Sequence, residues 1–138
     1  MTNIYKQEPK KISVRYLSKL GNTRKIAEAI ADEAGVPAVS IEDEGKLTEY
    51  NDVLFLGGAP YANIMDPALR KYAEDLDKEL IGKVVLFTTS NWSRRTVLAL
   101  KKILKDKGIP VEKEYFYAHM LNIDGRIMAA REFTRKFI

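Results

Sequence analysis

Two short runs of uninterrupted apolar residues constrain this chain most: Val53-Leu54-Phe55-Leu56 and Val84-Val85-Leu86-Phe87. A strand with one wet face alternates apolar and polar side chains, whereas four apolar residues in succession mark a strand buried on both faces. Such a strand needs a layer above it and a layer below. The surrounding segments supply those layers, with apolar residues at helical spacing: Ile26, Ala27, Ile30 and Ala34; Leu69, Tyr72, Ala73, Leu76 and Leu80; Val97, Leu100 and Leu104; Ala129, Phe133 and Phe137. Strand and helix alternate five times, at connection lengths that fit right-handed parallel crossovers. The expected fold class is α/β, a doubly wound five-stranded parallel sheet with helices on both faces.

Strands are predicted over residues 12–17, 36–41, 52–58, 83–88 and 111–118. The second follows Pro37 closely and the last carries Glu112, Lys113 and Glu114, so both belong at edges. Arg15 is out of place in a central strand and calls for an ion pair or a stem that reaches solvent. The first helix runs over 22–34 and stops at Gly35. Asp66 and Pro67 open the second, whose apolar spacing continues to Leu80. The third ends near Lys107, before Gly108 and Pro110, and Asp124 is expected to cap the fourth. Residues 1–10 read as a flexible lead-in and 11–138 as one domain.

The chain has 138 residues, 46% of them hydrophobic, enough for one core. Cysteine is absent and His119 is the single histidine, which excludes thiol chemistry and histidine-rich metal sites. No apolar run approaches membrane-spanning length. The polar N-terminus, with Pro9, lacks the pattern of a signal peptide, so a cytoplasmic protein without a membrane role is expected. A net charge of +4 is too modest to argue for nucleic acid. The basic third helix, with Arg94, Arg95, Lys101, Lys102, Lys105 and Lys107, reads as a solvated face.

In a doubly wound sheet, ligands bind beyond the carboxyl ends of the strands. Three loops meet that description: 18–23, 59–63 and 88–93. In the first, Ser18-Lys19-Leu20-Gly21-Asn22-Thr23 turns a strand into a helix whose first N–H groups have no internal partner. Gly21 permits positive φ, Asn22 can cap the helix, and Ser18 and Thr23 offer hydroxyl donors. The loop suits a phosphate, and it equally suits an ordinary strand-to-helix turn. Neither a Walker-type loop nor a dinucleotide fingerprint is present.

Three features together resemble the flavodoxin family. The family's phosphate loop, roughly [ST]-x-[ST]-G-x-T, is matched by Ser18, Gly21 and Thr23, with Asn22 at a frequent Asn position. The third strand leaves through Gly57-Gly58-Ala59-Pro60-Tyr61, similar to the family's Gly-x-Pro-aromatic exit. The fourth is followed by Thr89-Ser90-Asn91-Trp92, which brings a second aromatic. Leu20 departs from the pattern, standing where the family carries a hydroxyl.

The resemblance implies strand order 2-1-3-4-5 and non-covalently bound flavin mononucleotide (FMN) as cofactor. It implies cofactor contacts from Ser18, Lys19, Leu20, Gly21, Asn22 and Thr23, from Ala59, Pro60, Tyr61, Ala62 and Asn63, and from Thr89, Ser90, Asn91 and Trp92. Tyr61 and Trp92 would stack on the ring, or else simply cover the end of the sheet. Electron transfer by bound flavin needs no acid, base or nucleophile from the protein, so no catalytic residue and no metal is expected. The implied role is an electron carrier with protein redox partners, monomeric or weakly dimeric. An FMN-dependent reductase of quinones or nicotinamide cofactors and a cofactor-free binding module are the other readings. Lys19, Arg24, Arg94 and Arg95 lie near the site in sequence and predict positive potential around the ring. A receiver domain is excluded because Leu17-Ser18 and Leu56-Gly57 replace the acidic strand ends it requires, and a low-molecular-weight phosphatase lacks its cysteine.

Overall fold

The computed structural model describes residues 9–43, 45–61 and 64–138. The elements in chain order are β1 (Ile12–Tyr16), α1 (Asn22–Ala34), β2 (Ala38–Ser40), β3 (Asn51–Gly58), α2 (Pro67–Glu74), β4 (Ile81–Ser90), α3 (Arg95–Asp106), β5 (Val111–His119) and α4 (Ile127–Arg135). The five strands are parallel in the order β2-β1-β3-β4-β5, the flavodoxin-like arrangement expected. A small antiparallel ladder, Pro60–Tyr61 with Ile64–Met65, sits outside this sheet.

The two apolar runs form the centre, and each divides between two cores by the two-residue period of a strand. Val53, Phe55, Val85 and Phe87 face a layer built from α1 and α4, where Ile26, Ile30, Ala130 and Phe133 are buried. Leu54, Leu56, Val84 and Leu86 face α2 and α3, against Leu69, Ala73, Val97 and Leu100. Register places Phe55 beside Val85 and Gly57 beside Phe87. A Cβ on Gly57 would collide with the Phe87 ring, so that glycine makes room for the core's largest neighbour.

Several expectations are corrected. Among the described residues Arg15 has no carboxylate within 4.0 Å: its Nε donates to the Gly45 carbonyl at 2.9 Å and its Nη1 to the Val14 carbonyl at 3.1 Å. The second helix stops at Glu74, short of Leu80. Asp77 then accepts from the Glu79 N–H at 2.9 Å and opens a separate 3-10 turn, Lys78–Leu80. Asp124 is not a cap. It lies inside the turn Asp124–Arg126 that precedes α4, with its carboxylate 3.5 Å from Lys25 Nζ. β2 is shorter than predicted and β4 longer, reaching Ser90. Among the described residues, no helix is long and apolar enough to cross a membrane. The lead-in, apart from Pro9 and Lys10, lies outside the described residues, as do Ala62 and Asn63.

Candidate functional site

The carboxyl ends of β1, β3 and β4 converge, and hydroxyl bonds tie them together. The Leu17 N–H donates to the Gly57 carbonyl at 3.1 Å, which brings the first loop against the end of β3. The Lys19 N–H donates to the Tyr61 hydroxyl at 2.8 Å. The Thr23 and Thr89 hydroxyls, both buried, meet at 2.7 Å and join the start of α1 to the end of β4. Thr88 donates to the Gly58 carbonyl, also at 2.7 Å.

The first loop is shaped by Gly21, whose φ is 93° and which precedes α1 without any side-chain cap. Asn22 is therefore the first helical residue, not the cap. The Gly21 N–H donates to Ser18 Oγ at 3.1 Å, leaving the Ser18 hydroxyl proton free to be given elsewhere. The N–H groups of Asn22, Thr23 and Arg24 lack intrahelical acceptors, as in any helix start, and carry the positive end of the α1 dipole. Leu20 is 74% exposed, so its side chain supports nothing beneath the loop.

Lys19 turns away from the loop to Asp66, Nζ to Oδ2 2.8 Å, while the other Asp66 oxygen caps α2 by accepting from the Ala68 N–H at 2.8 Å. Burial alone would raise the Asp66 carboxyl, but the bonds from Lys19 and Ala68 outweigh it and hold the group below its ordinary value. Lys19 is raised correspondingly by its bond to Asp66.

The third loop departs furthest from expectation. Thr88, Thr89 and Ser90 belong to β4, so only residues 91–94 connect it to α3. The Ser90 carbonyl accepts from the Tyr117 hydroxyl and from the Met120 N–H, both at 2.9 Å. Tyr117 in turn accepts from the Trp92 N–H at 2.8 Å, and Trp92 is held at φ 74°, rare for a bulky residue. That backbone turns the indole outward, 73% exposed, with its ring edge-on to His119 at 4.6 Å. His119 Nδ1 accepts from the Leu121 N–H at 3.1 Å, which leaves Nε2 to donate to Asn91 Oδ1 at 2.9 Å. The lone histidine thus braces the 91–94 connection.

A cavity of about 390 Å³ opens between these loops. Of the predicted contact residues it is lined by Ser18, Leu20, Asn22, Thr23, Ala59, Pro60, Tyr61, Thr89, Ser90 and Asn91. Lys19, Gly21 and Trp92 shape the surroundings without lining it. Ser93, inside the predicted loop 88–93 but not among its expected contacts, also lines it, as does Met120, which escaped the sequence reading. Met120 follows the last strand, and its place beside β4 comes from the bond to Ser90, which no local pattern announces. Among the described residues, the lining holds no charged side chain. The cavity therefore offers hydroxyl and N–H donors at one end, apolar walls, and nothing to repel an anion.

The predicted cations are largely spent on internal partners. Arg24 pairs with Glu28 at 3.2 Å, and the Arg94 guanidinium lies 3.6 Å from the centre of the Tyr117 ring. Arg95 is exposed at the first position of α3.

Solved structures share this architecture at low identity. A flavodoxin from the domain Archaea superimposes with a TM-score of 0.68 at 17% identity, covering 91% of this chain and 99% of that one. Oxidised flavodoxin 2 from Bacillus cereus gives 0.65 at 21% identity, with 92% and 99% covered. The Fusobacterium nucleatum flavodoxin bound to FMN gives 0.67 at 19% identity, with 92% and 98% covered. No curated protein sequence matches the chain. A family profile described as a flavodoxin domain does match, over residues 13–119, a span from β1 through β5 that contains the loops around the cavity. This chain belongs to the flavodoxin family.

Proposed function

We propose that the protein binds FMN non-covalently in this cavity and works as an electron carrier. The observation that carries the reading is the donor-rich, uncharged cavity at the start of α1, bounded by a loop whose glycine holds φ at 93°. A phosphate dianion there would meet the Ser18 hydroxyl and the first N–H groups of α1. Pro60 and Tyr61 on one side and Asn91 and Met120 on the other would border the ring, with Thr89 and Ser90 beneath. The volume lies within the range of about 300–1,000 Å³ usual for ligand sites. When bound, FMN supplies the electron chemistry, and the protein's share is to hold, orient and shield it. Support also comes from the Fusobacterium nucleatum relative, which was solved with FMN.

The reading extends to protein redox partners, a monomeric or weakly dimeric state and a cytoplasmic setting. Titration of FMN fluorescence with purified protein tests it, and quenching at micromolar protein is expected. Flavin adenine dinucleotide should bind more weakly, because a loop closed around a terminal phosphate leaves little room for an adenylate. Absence of quenching at high micromolar protein would leave the chain a cofactor-free module, a reading that Leu20 at a hydroxyl position favours. Oxidation of NAD(P)H without an added reductase would instead make it an enzyme.

A further inference from the structure

The face around the cavity mouth exposes more apolar surface than a solvated rim requires. Trp92 is 73% exposed, Leu121 85% and Met120 37%, all on the β5 side. On the other side of the β4 exit, Ile64 is 58% and Leu98 60% exposed. These two form part of a shallow groove of about 480 Å³ between α2 and α3, whose floor is Ile64, Met65, Leu98 and Ala99. Contiguous apolar exposure of this kind marks a contact surface.

Most of the charges that border these patches are positive; Glu132 shares a groove with Arg94 and Arg126, and the exposed Asp124 is matched by Lys25 at 3.5 Å. Arg70 and Arg95 flank the α2–α3 groove. Arg94 lies beside Trp92, donating from Nη1 to its carbonyl at 3.1 Å, and Arg126 donates from Nη2 to the Tyr117 carbonyl at 3.1 Å. Among the described residues, none of these four arginines has a carboxylate within 4.0 Å, although most other cations at this pole do. Arg94 and Arg126 are also held rigid by aromatic rings, Tyr117 at 3.6 Å and Phe116 at 4.8 Å. A guanidinium fixed this way loses little freedom when a carboxylate arrives.

We infer that this face docks a protein partner that presents carboxylates around an apolar centre. Trp92, Leu98 and Leu121 supply the desolvated contact, and the four arginines set orientation and encounter rate. The chain thereby selects acidic redox proteins and rejects basic ones. The inference rests on the electron-carrier reading for the identity of the partner's class, while the surface itself does not depend on bound flavin.

The test uses an acidic [2Fe–2S] ferredoxin and a basic c-type cytochrome as paired probes, with association followed at low and high salt. The expected result is association with the ferredoxin, at a rate that falls about tenfold or more as salt is raised, and none with the cytochrome. The double variant Arg70→Glu/Arg95→Glu should cut that rate about tenfold. Both positions are exposed on helices, and neither touches the cavity, so FMN affinity at 1 M salt should not change. Lys78→Glu, one such reversal near the start of β4 at the opposite pole, should alter the rate less than twofold. Leu98→Ser should slow association without changing its salt dependence. Protein that takes up FMN yet ignores the ferredoxin, or loses as much with Lys78→Glu as with the double variant, overturns the inference and leaves the proposed function standing. Protein that docks the ferredoxin through these arginines but takes up no FMN supports the surface and sinks the flavin reading.

Discussion

At the scale of single residues, Gly21 and Leu20 carry the sharpest tests. Gly21 holds φ at 93°, and a Cβ there would meet nothing within 4 Å. The obstacle to substitution is therefore backbone strain and not space. Valine strongly resists that conformation, at a cost on the order of 1–3 kcal/mol, and relaxation to negative φ would turn the first N–H groups of α1 off their common target. Gly21→Val should weaken FMN binding at least tenfold in a fluorescence titration, while Gly21→Asn should lose much less, because asparagine tolerates left-handed φ. Equal affinity for parent and Gly21→Val would mean the loop does not bind phosphate in this geometry. Leu20 invites the opposite experiment. Its side chain is 74% exposed, so Leu20→Thr gives up no packing and adds one donor. A tightening of about tenfold, or 1.4 kcal/mol, is expected, and an unchanged dissociation constant would show the phosphate already saturated by other donors. Gly21 was legible because a strand-to-helix turn has few conformations. Trp92 was not. Its direction is set by a hydroxyl on Tyr117 and by its own left-handed backbone, neither visible in a local window.

At the scale of elements, the sequence showed the five strands of the main sheet and the four α-helices, but it missed the short ladder of Pro60–Tyr61 with Ile64–Met65 and the 3-10 turns, and it misplaced several ends. Periodicity reports burial, and burial continues past a helix terminus. Leu76 and Leu80 keep the apolar spacing of α2 after its hydrogen bonding has stopped at Glu74. Thr88-Thr89-Ser90 has the composition of a loop, yet it extends β4 because Gly58, Thr23 and Ser93 accept or share its hydroxyl bonds. The start of α2 was read correctly, and it ties two elements together. Asp66 caps that helix and pairs with Lys19 in the first loop, so Asp66→Ala should lower stability by about 1–2 kcal/mol in denaturant unfolding at neutral pH. The pH dependence has a definite sign. The folded Asp66 carboxyl lies below its ordinary value, so its contribution is complete above that value. It is lost as pH falls through the lowered one. The gap between parent and variant should narrow in acid. A gap that stays constant would mean the Lys19 pair contributes nothing and only the uncharged cap matters, a role Asp66→Asn should then fill.

At the scale of the whole molecule, the alternating pattern and the two apolar runs were enough to imply the doubly wound sheet, and the order that the family resemblance implied is the one observed. The distribution of charge is visible only in three dimensions. Composition gives +4, and proximity in sequence put Lys19 and Arg24 near the site, but each is matched by a carboxylate. The remaining field comes from Arg70, Arg94, Arg95 and Arg126, spread around the mouth and not inside the cavity. Field from outside a neutral cavity acts through several ångströms of protein and solvent, so it must respond to ionic strength. The Debye length falls from about 30 Å at 0.01 M salt to about 3 Å at 1 M. Reduced flavin that carries a negative charge is stabilised by positive potential, and screening removes that stabilisation. The midpoint potential of the FMN-loaded protein should therefore fall between these two salt concentrations, measured by reductive titration against reference dyes. Arg70→Glu/Arg95→Glu should lower the potential at low salt and flatten its salt dependence, with little effect at 1 M. A potential that rises with salt in the parent protein would mean the ring sits in negative potential, and that the arginines at the mouth act on partners alone.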